Sequence, residues 1–196
     1  MKRKNKAVFF DRDGTLSEEV GYITDISMFS LYPYTSKVLK ELAALDYKIF
    51  VVTNQAGVAR GYFNTDMVEK VHELMKQKLV ENGAFIDEIY YSPYYKKGRV
   101  QEYSIDSDCR KPNTGMIEKA AKKYNIDLKN SIMIGDKLSD IECGRRSGLK
   151  TILLLTGHGP VHRKMIEKEK IYPDFITDNL ETALNIIKGF SKNAES

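Results

Sequence analysis

Cysteine is nearly absent: Cys109 and Cys143 are the only two in 196 residues, too few for a disulfide scaffold and suited to a reducing cytoplasm. Long apolar runs are missing too. No segment approaches the roughly 20 apolar residues of a membrane-spanning helix. The apolar stretch after the basic start is far too short for the core of a signal peptide, so a soluble cytoplasmic protein is expected. Charge of one sign is not in excess: 31 basic residues face 27 acidic ones, and the net +4 is spread along the chain. The concentrated basic runs are Lys2-Arg3-Lys4-Asn5-Lys6 and the stretch from Arg163 to Lys170, the latter interrupted by two glutamates. Neither indicates a nucleic-acid partner. Internal repeats, low-complexity tracts and linkers are also lacking. One domain over residues 1–190 is therefore expected, with 191–196 as a flexible tail, and 42% hydrophobic content is ample for its core.

Strand-like and helix-like stretches alternate. Apolar runs stand at Ala7 to Phe10, Lys48 to Thr53, Glu88 to Ser92, Ser131 to Ile134, Thr151 to Leu155 and Asp174 to Ile176. Amphipathic stretches lie at Thr35 to Leu45, Thr65 to Glu81, Thr114 to Tyr124, Leu138 to Arg146 and Asn179 to Lys188. Strands apolar on both faces and separated by helices predict an α/β protein with a mostly parallel sheet covered on both sides. The irregular stretches are 17–33 and 93–112, together with Gly157-His158-Gly159-Pro160.

In such a sheet, ligands bind beyond the carboxyl ends of the strands. The first run delivers Asp11 and Asp13 at that end, followed by Gly14 and Thr15. Two acids so close repel and raise each other's pKa unless a cation sits between them. With a divalent metal, one can attack as a nucleophile while the other works as an acid and base. The bland alternative is a polar strand-to-loop junction. The second run ends in Thr53-Asn54-Gln55-Ala56-Gly57, where a hydroxyl and neighbouring backbone N–H groups can hold a phosphoryl oxygen. Cys109-Arg110-Lys111-Pro112 sets two cations ahead of a helix. The guanidinium suits two-point bonding to phosphate or sugar oxygens, and the ammonium can neutralise both phosphate and nucleophile. Finally, Gly135-Asp136-Lys137-Leu138-Ser139-Asp140 adds acids four apart, one of which can complete an oxygen-ligand site for magnesium.

These four segments, in this order, resemble the haloacid dehalogenase (HAD) superfamily of aspartate-nucleophile phosphatases over nearly the whole chain. FFDRDGTL, VVTNQAGVARGYF, CRKPNTGM and IGDKLSDIECGRRSG look most like the D-glycero-D-manno-heptose 1,7-bisphosphate 7-phosphatases, with the histidinol-phosphatase domains as near relatives. The resemblance implies a Rossmann-like, doubly wound fold without a large cap domain. It also implies magnesium-dependent removal of the C7 phosphate from the bisphosphate, on the way to nucleotide-activated heptose. By the same resemblance Asp11 is the nucleophile, Asp13 the acid and base, Thr53, Asn54, Gln55 and Ala56 the phosphate-contacting segment, and Lys111 the neutralising charge. Asp11, the Asp13 carbonyl and Asp136 would hold the magnesium, with Asp140 supporting them. Arg110 and Lys137 match sugar- or phosphate-contacting positions, and Glu19-Val20-Gly21-Tyr22 the loop that closes over the sugar. Histidinol phosphate or another small phosphomonoester is the alternative substrate. A polynucleotide 3′-phosphatase is disfavoured by the lack of a basic groove and of a GxxxxGK[ST] loop, and a non-enzymatic binding module by the filled catalytic positions.

Many relatives bind zinc before the RKP segment through paired cysteines and a histidine. Here those positions hold Ser92, Tyr94, Ser107 and Cys109, and a single thiolate cannot supply a four-ligand site, so no zinc is expected. Tyr91, Tyr94, Tyr95, Val100, Tyr103 and Ile105 are expected to pack the loop instead, with Asp106 or Asp108 bonding Arg99 or Lys96. His72 is expected at the surface or on a helix flank, and Cys143 as a small buried hydrophobe. His158 and His162 stand four apart, but Gly159-Pro160 between them is expected to break any helix, so a metal pair there is not expected.

Overall fold

The computed structural model describes residues 4–192, so positions 193–196 of the expected tail lie outside the described residues. The apolar runs become six strands: β1 Lys6–Phe10, β2 Tyr47–Asn54, β3 Glu88–Ser92, β4 Ile132–Gly135, β5 Lys150–Leu154 and β6 Phe175–Thr177. They form one sheet in the order β3-β2-β1-β4-β5-β6, and every pairing is parallel. The strands are continuously apolar because both faces are covered. Val8 and Phe10 of β1 point into one core beneath α1 (Thr35–Ala44), α3 (Thr65–Glu81) and α7 (Leu180–Lys192). Ala7 and Phe9 point into the other, beneath α4 (Gly115–Tyr124) and α5 (Leu138–Arg146). A short helix, α2 (Gly57–Arg60), follows the second motif.

Three readings from sequence are corrected. His158 caps a helix, α6 (Gly159–Glu169), with Pro160 in its first turn and His162 within it. Proline interrupts a helix by lacking an N–H and crowding the preceding turn, and in the first turn neither costs anything. His72 lies on the inward face of α3 beside Val68, Val71 and Met75, only 2% exposed. α7 also runs to Lys192, past the expected end at Lys188.

Strand order reverses between β1 and β4: β2 and β3 extend to one side, β4, β5 and β6 to the other. Helices leave the two sides on opposite faces, which opens a crevice beyond the carboxyl ends of these central strands.

Candidate active site

That crevice is a cavity of about 400 Å³ lined by residues from each motif. Asp11, Asp13, Glu19, Gly21, Tyr22, Thr53, Asn54, Gln55, Ala56, Arg110, Lys111 and Lys137 all reach it. Val20 does not; it is exposed to solvent. Asp136 is fully buried beneath the floor. Gly14 has φ +79°, and a Cβ there would stand 2.2 Å from Asp136 Oδ2, so the turn after Asp13 requires glycine on both counts.

Asp11 sits between two ammonium groups, with Lys111 Nζ 3.1 Å from Oδ1 and Lys137 Nζ 3.6 Å from Oδ2. Burial raises its pKa, but Lys111, Lys137 and the Arg12 N–H outweigh this and hold the carboxyl at about 2. Lys111 is itself buried and spends its donors within the protein, on Asp11, on Asp140 at 2.7 Å and on the Val52 carbonyl at 2.6 Å. Asp13 is gripped by Arg12 and also accepts a bond from Gln55 Nε2 at 3.0 Å. Gln55 Nε2 donates to Thr53 Oγ1 as well, which leaves the Thr53 hydroxyl proton to donate into the cavity. The Asn54 side chain turns to the backbone of Lys111, donating to its carbonyl and accepting its N–H, both at 3.0 Å. It therefore ties the second motif to the RKP segment.

The acidic groups expected to hold magnesium converge on one cation. Lys137 Nζ lies 3.1 Å from Asp136 Oδ1, 3.5 Å from the Asp13 carbonyl and 3.6 Å from Asp11 Oδ2. The donors are all oxygens, two of them carboxylate, which fits magnesium, and the ammonium is a stand-in of like sign. Asp11, Asp136 and Asp140 offer oxygens within 4.8 Å of one another. Asp140, however, has one oxygen on Lys111 and the other accepting the Lys137 N–H at 3.0 Å, so it supports the lysines.

Sequence reasoning missed His158, which lines the cavity. Its backbone N–H donates to Asp136 Oδ2 at 2.8 Å, and its Nε2 stands 3.2 Å from Glu19 Oε2. Glu19 also pairs with Lys137 at 3.2 Å and accepts the Gly21 N–H, linking the 18–22 loop to the acidic cluster. The helix start that aims His158 inward was hidden by the reading of Gly159-Pro160 as a break.

In the 93–112 loop, Ser92 is buried, Ser107 Oγ accepts the Cys109 N–H, and the Cys109 thiol lies 3.1 Å from Lys119 Nζ. Tyr94 packs on Tyr103 at 6.1 Å between centroids, and Lys96 stands 3.8 Å from Asp106. Ile105 is 47% exposed and takes no share in that packing. Cys143 is fully buried, as expected of a small hydrophobe, and burial pushes its thiol up to about 12.

A doubly wound parallel sheet with an aspartate-lysine centre at its switch point defines a hydrolase of the HAD-like class, and the HAD-hydrolase-like family matches residues 108–183. A D-glycero-alpha-D-manno-heptose-1,7-bisphosphate 7-phosphatase of Photorhabdus laumondii is 45% identical over 159 residues, 79% of this chain and 85% of the relative. A D-glycero-beta-D-manno-heptose-1,7-bisphosphate 7-phosphatase of Haemophilus influenzae is 39% identical over 188 residues, 96% of this chain and the whole of the relative. The chain belongs to the D-glycero-D-manno-heptose-1,7-bisphosphate 7-phosphatase family, and it is a phosphatase. The crystal structure of a D,D-heptose 1,7-bisphosphate phosphatase from B. bronchiseptica, complexed with magnesium and phosphate, superimposes with a TM-score of 0.81 at 25% identity, covering 94% of this chain and 98% of that one.

Proposed function

We propose that this phosphatase removes the C7 phosphate of D-glycero-D-manno-heptose 1,7-bisphosphate, with magnesium, through an aspartyl-phosphate on Asp11. The observation that carries the reading is Asp11 itself: an ionised carboxylate on the floor of a cavity, between Lys111 and Lys137. Two relatives named for this substrate, at 45% and 39% identity, support the choice of sugar.

An Asp11 oxygen forms a bond to phosphorus while the bond from phosphorus to the C7 oxygen breaks, and Asp13 gives its proton to that oxygen. Water then attacks the phosphorus of the aspartyl-phosphate, Asp13 takes the water's proton, and the Asp11 carboxylate leaves. Lys111, with its donors spent on Asp11, Asp140 and Val52, works through its charge, offsetting repulsion between the carboxylate and the phosphate. The Thr53 hydroxyl and neighbouring backbone N–H groups are suited to the equatorial phosphoryl oxygens, except the Gln55 N–H, which donates to the Ser92 carbonyl at 2.7 Å. Asp11, the Asp13 carbonyl and Asp136 would hold magnesium, which when bound supplies positive charge to the transferring phosphoryl group. Arg110, with Glu19, Gly21 and Tyr22 of the Glu19-Val20-Gly21-Tyr22 loop, would meet the rest of the sugar phosphate.

The reading takes residues 1–190 as one domain and the protein as a cytoplasmic monomer without nucleic-acid or membrane partners. The interspersed charges support this, and among the described residues no helix is long and apolar enough to cross a membrane. A panel of phosphate esters, assayed with magnesium and with EDTA, tests the proposal. Turnover of either anomer of the heptose bisphosphate should far exceed that of histidinol phosphate and vanish in EDTA. A flat, slow panel, or activity that survives EDTA, would sink it.

A further inference from the structure

Arg110 reaches the cavity from the 93–112 loop, whose regular structure amounts to one turn of 3-10 helix, Gln101–Tyr103. A guanidinium on an irregular segment binds a ligand well only if its orientation is fixed beforehand. Two contacts fix this one. Arg110 Nη1 donates to the Tyr94 carbonyl at 3.1 Å, and the guanidinium carbon lies 5.2 Å from the centre of the Tyr95 ring. The same ring carries a second guanidinium, that of Arg60, at 4.2 Å. Both distances fall where the negative face of an aromatic ring attracts a cation.

Arg60 ends α2, and the loop is fastened to that helix. The N–H groups of Arg99 and Val100 both donate to the Ala59 carbonyl, at 2.7 and 3.0 Å, and the Ala59 N–H donates to the Pro93 carbonyl at 3.2 Å. A Cβ on Gly98 would stand 2.5 Å from the Ala59 oxygen, so an approach this close requires glycine. Tyr95 is thus held relative to α2, and Arg110 relative to Tyr95. Two like charges would otherwise drive Arg60 and Arg110 apart, and a shared ring offsets that repulsion.

We propose that Tyr95 is a positioning residue: by carrying the guanidiniums of both Arg60 and Arg110, its ring sets where Arg110 meets the part of the substrate remote from the reacting phosphate. The proposal rests on the sugar-phosphatase reading of the cavity. Tyr95 touches no reacting atom and acts through Arg110.

The test is steady-state kinetics of the magnesium-loaded enzyme on the heptose bisphosphate and on p-nitrophenyl phosphate, which has no remote anionic group. Tyr95→Leu should raise KM for the bisphosphate by about tenfold, as should Arg60→Leu and Arg110→Ala, with kcat held within about twofold. Tyr95→Leu and Arg60→Leu should leave p-nitrophenyl phosphate hydrolysis unchanged, and Tyr95→Phe, which keeps the ring, should behave as wild type. A wild-type KM in Tyr95→Leu alongside a raised KM in Arg110→Ala would overturn the positioning role and leave the sugar-phosphatase reading standing. Equal losses on both substrates would also overturn it, because they report a collapsed loop. If Arg110→Ala leaves KM unmoved, Arg110 is no substrate contact, and the proposal falls with that premise.

Discussion

Arg12 holds the carboxylate of its chain neighbour Asp13 at two points, Nε to Oδ1 at 2.9 Å and Nη2 to Oδ2 at 2.8 Å. Arg12 is buried, and a two-point pair fixes the rotation of a carboxylate as well as its place. Arg12→Lys keeps the charge and loses the fork. Hydrolysis of the sugar phosphate, whose alkoxide leaving group needs a proton from Asp13, should slow by about tenfold or more. p-Nitrophenyl phosphate, whose leaving group needs little protonation, should lose less. The ratio of the two kcat/KM values is the measurement, and an unchanged ratio would assign Arg12 to the fold alone.

Asp11→Asn and Asp13→Asn should each lower turnover by about a thousandfold, for different reasons. An aryl phosphate can still load Asp11 when Asp13 is gone, but water then lacks its base. Acid-quenched Asp13→Asn given labelled aryl phosphate should therefore retain label on the protein, and Asp11→Asn should retain none. Label on Asp11→Asn would exclude Asp11 as the nucleophile.

The strands and the order of the motifs were legible because each is a local pattern: continuous apolar runs for a sheet covered on both faces, and polar segments at their carboxyl ends. Contacts made across long separations were not. The Asn54 amide meets the backbone of Lys111, 57 residues away, and nothing near Asn54 encodes this. The sharing of Tyr95 by Arg60 and Arg110 depends in the same way on how a loop folds back over α2. α6 was hidden for another reason. Proline's effect depends on its place in a helix, and Gly159-Pro160 opens this one.

Asp136 makes magnesium binding depend on pH. Burial raises its carboxyl from an ordinary 3.8 to about 7, Asp11 and Asp140 add to the rise, and Lys137 opposes it. In metal-free protein Asp136 takes up its proton between those values while the unfolded chain does not. Stability of the metal-free form is therefore lost as pH climbs from about 4 towards 7. A cation binds the ionised form, so it must displace that proton below pH 7 and need not above it. Thermal unfolding with and without magnesium should show a larger rise in Tm at pH 8 than at pH 6. Equal shifts at both would argue against Asp136 as a ligand.

His72 should set an acid limit on the fold by the opposite route. Burial, with Arg12 and Lys76 nearby, lowers its pKa from 6.5 to about 3, and its Nε2 has no hydrogen-bond partner. The folded protein keeps this imidazole neutral where the unfolded chain protonates it. Its contribution is thus complete above pH 6.5 and shrinks as pH falls towards 3. Lowering the pH from 7.5 to 5 should cost about 2 kcal/mol on this account alone. His72→Phe removes the titrating group and retains an aromatic ring against Tyr91, whose centroid lies 5.5 Å from that of His72. Urea unfolding of both proteins at the two pH values isolates the contribution, because the other ionisable groups are common to both. The variant should lose less stability on acidification than the wild type; equal losses would mean that His72 takes up its proton in the folded protein.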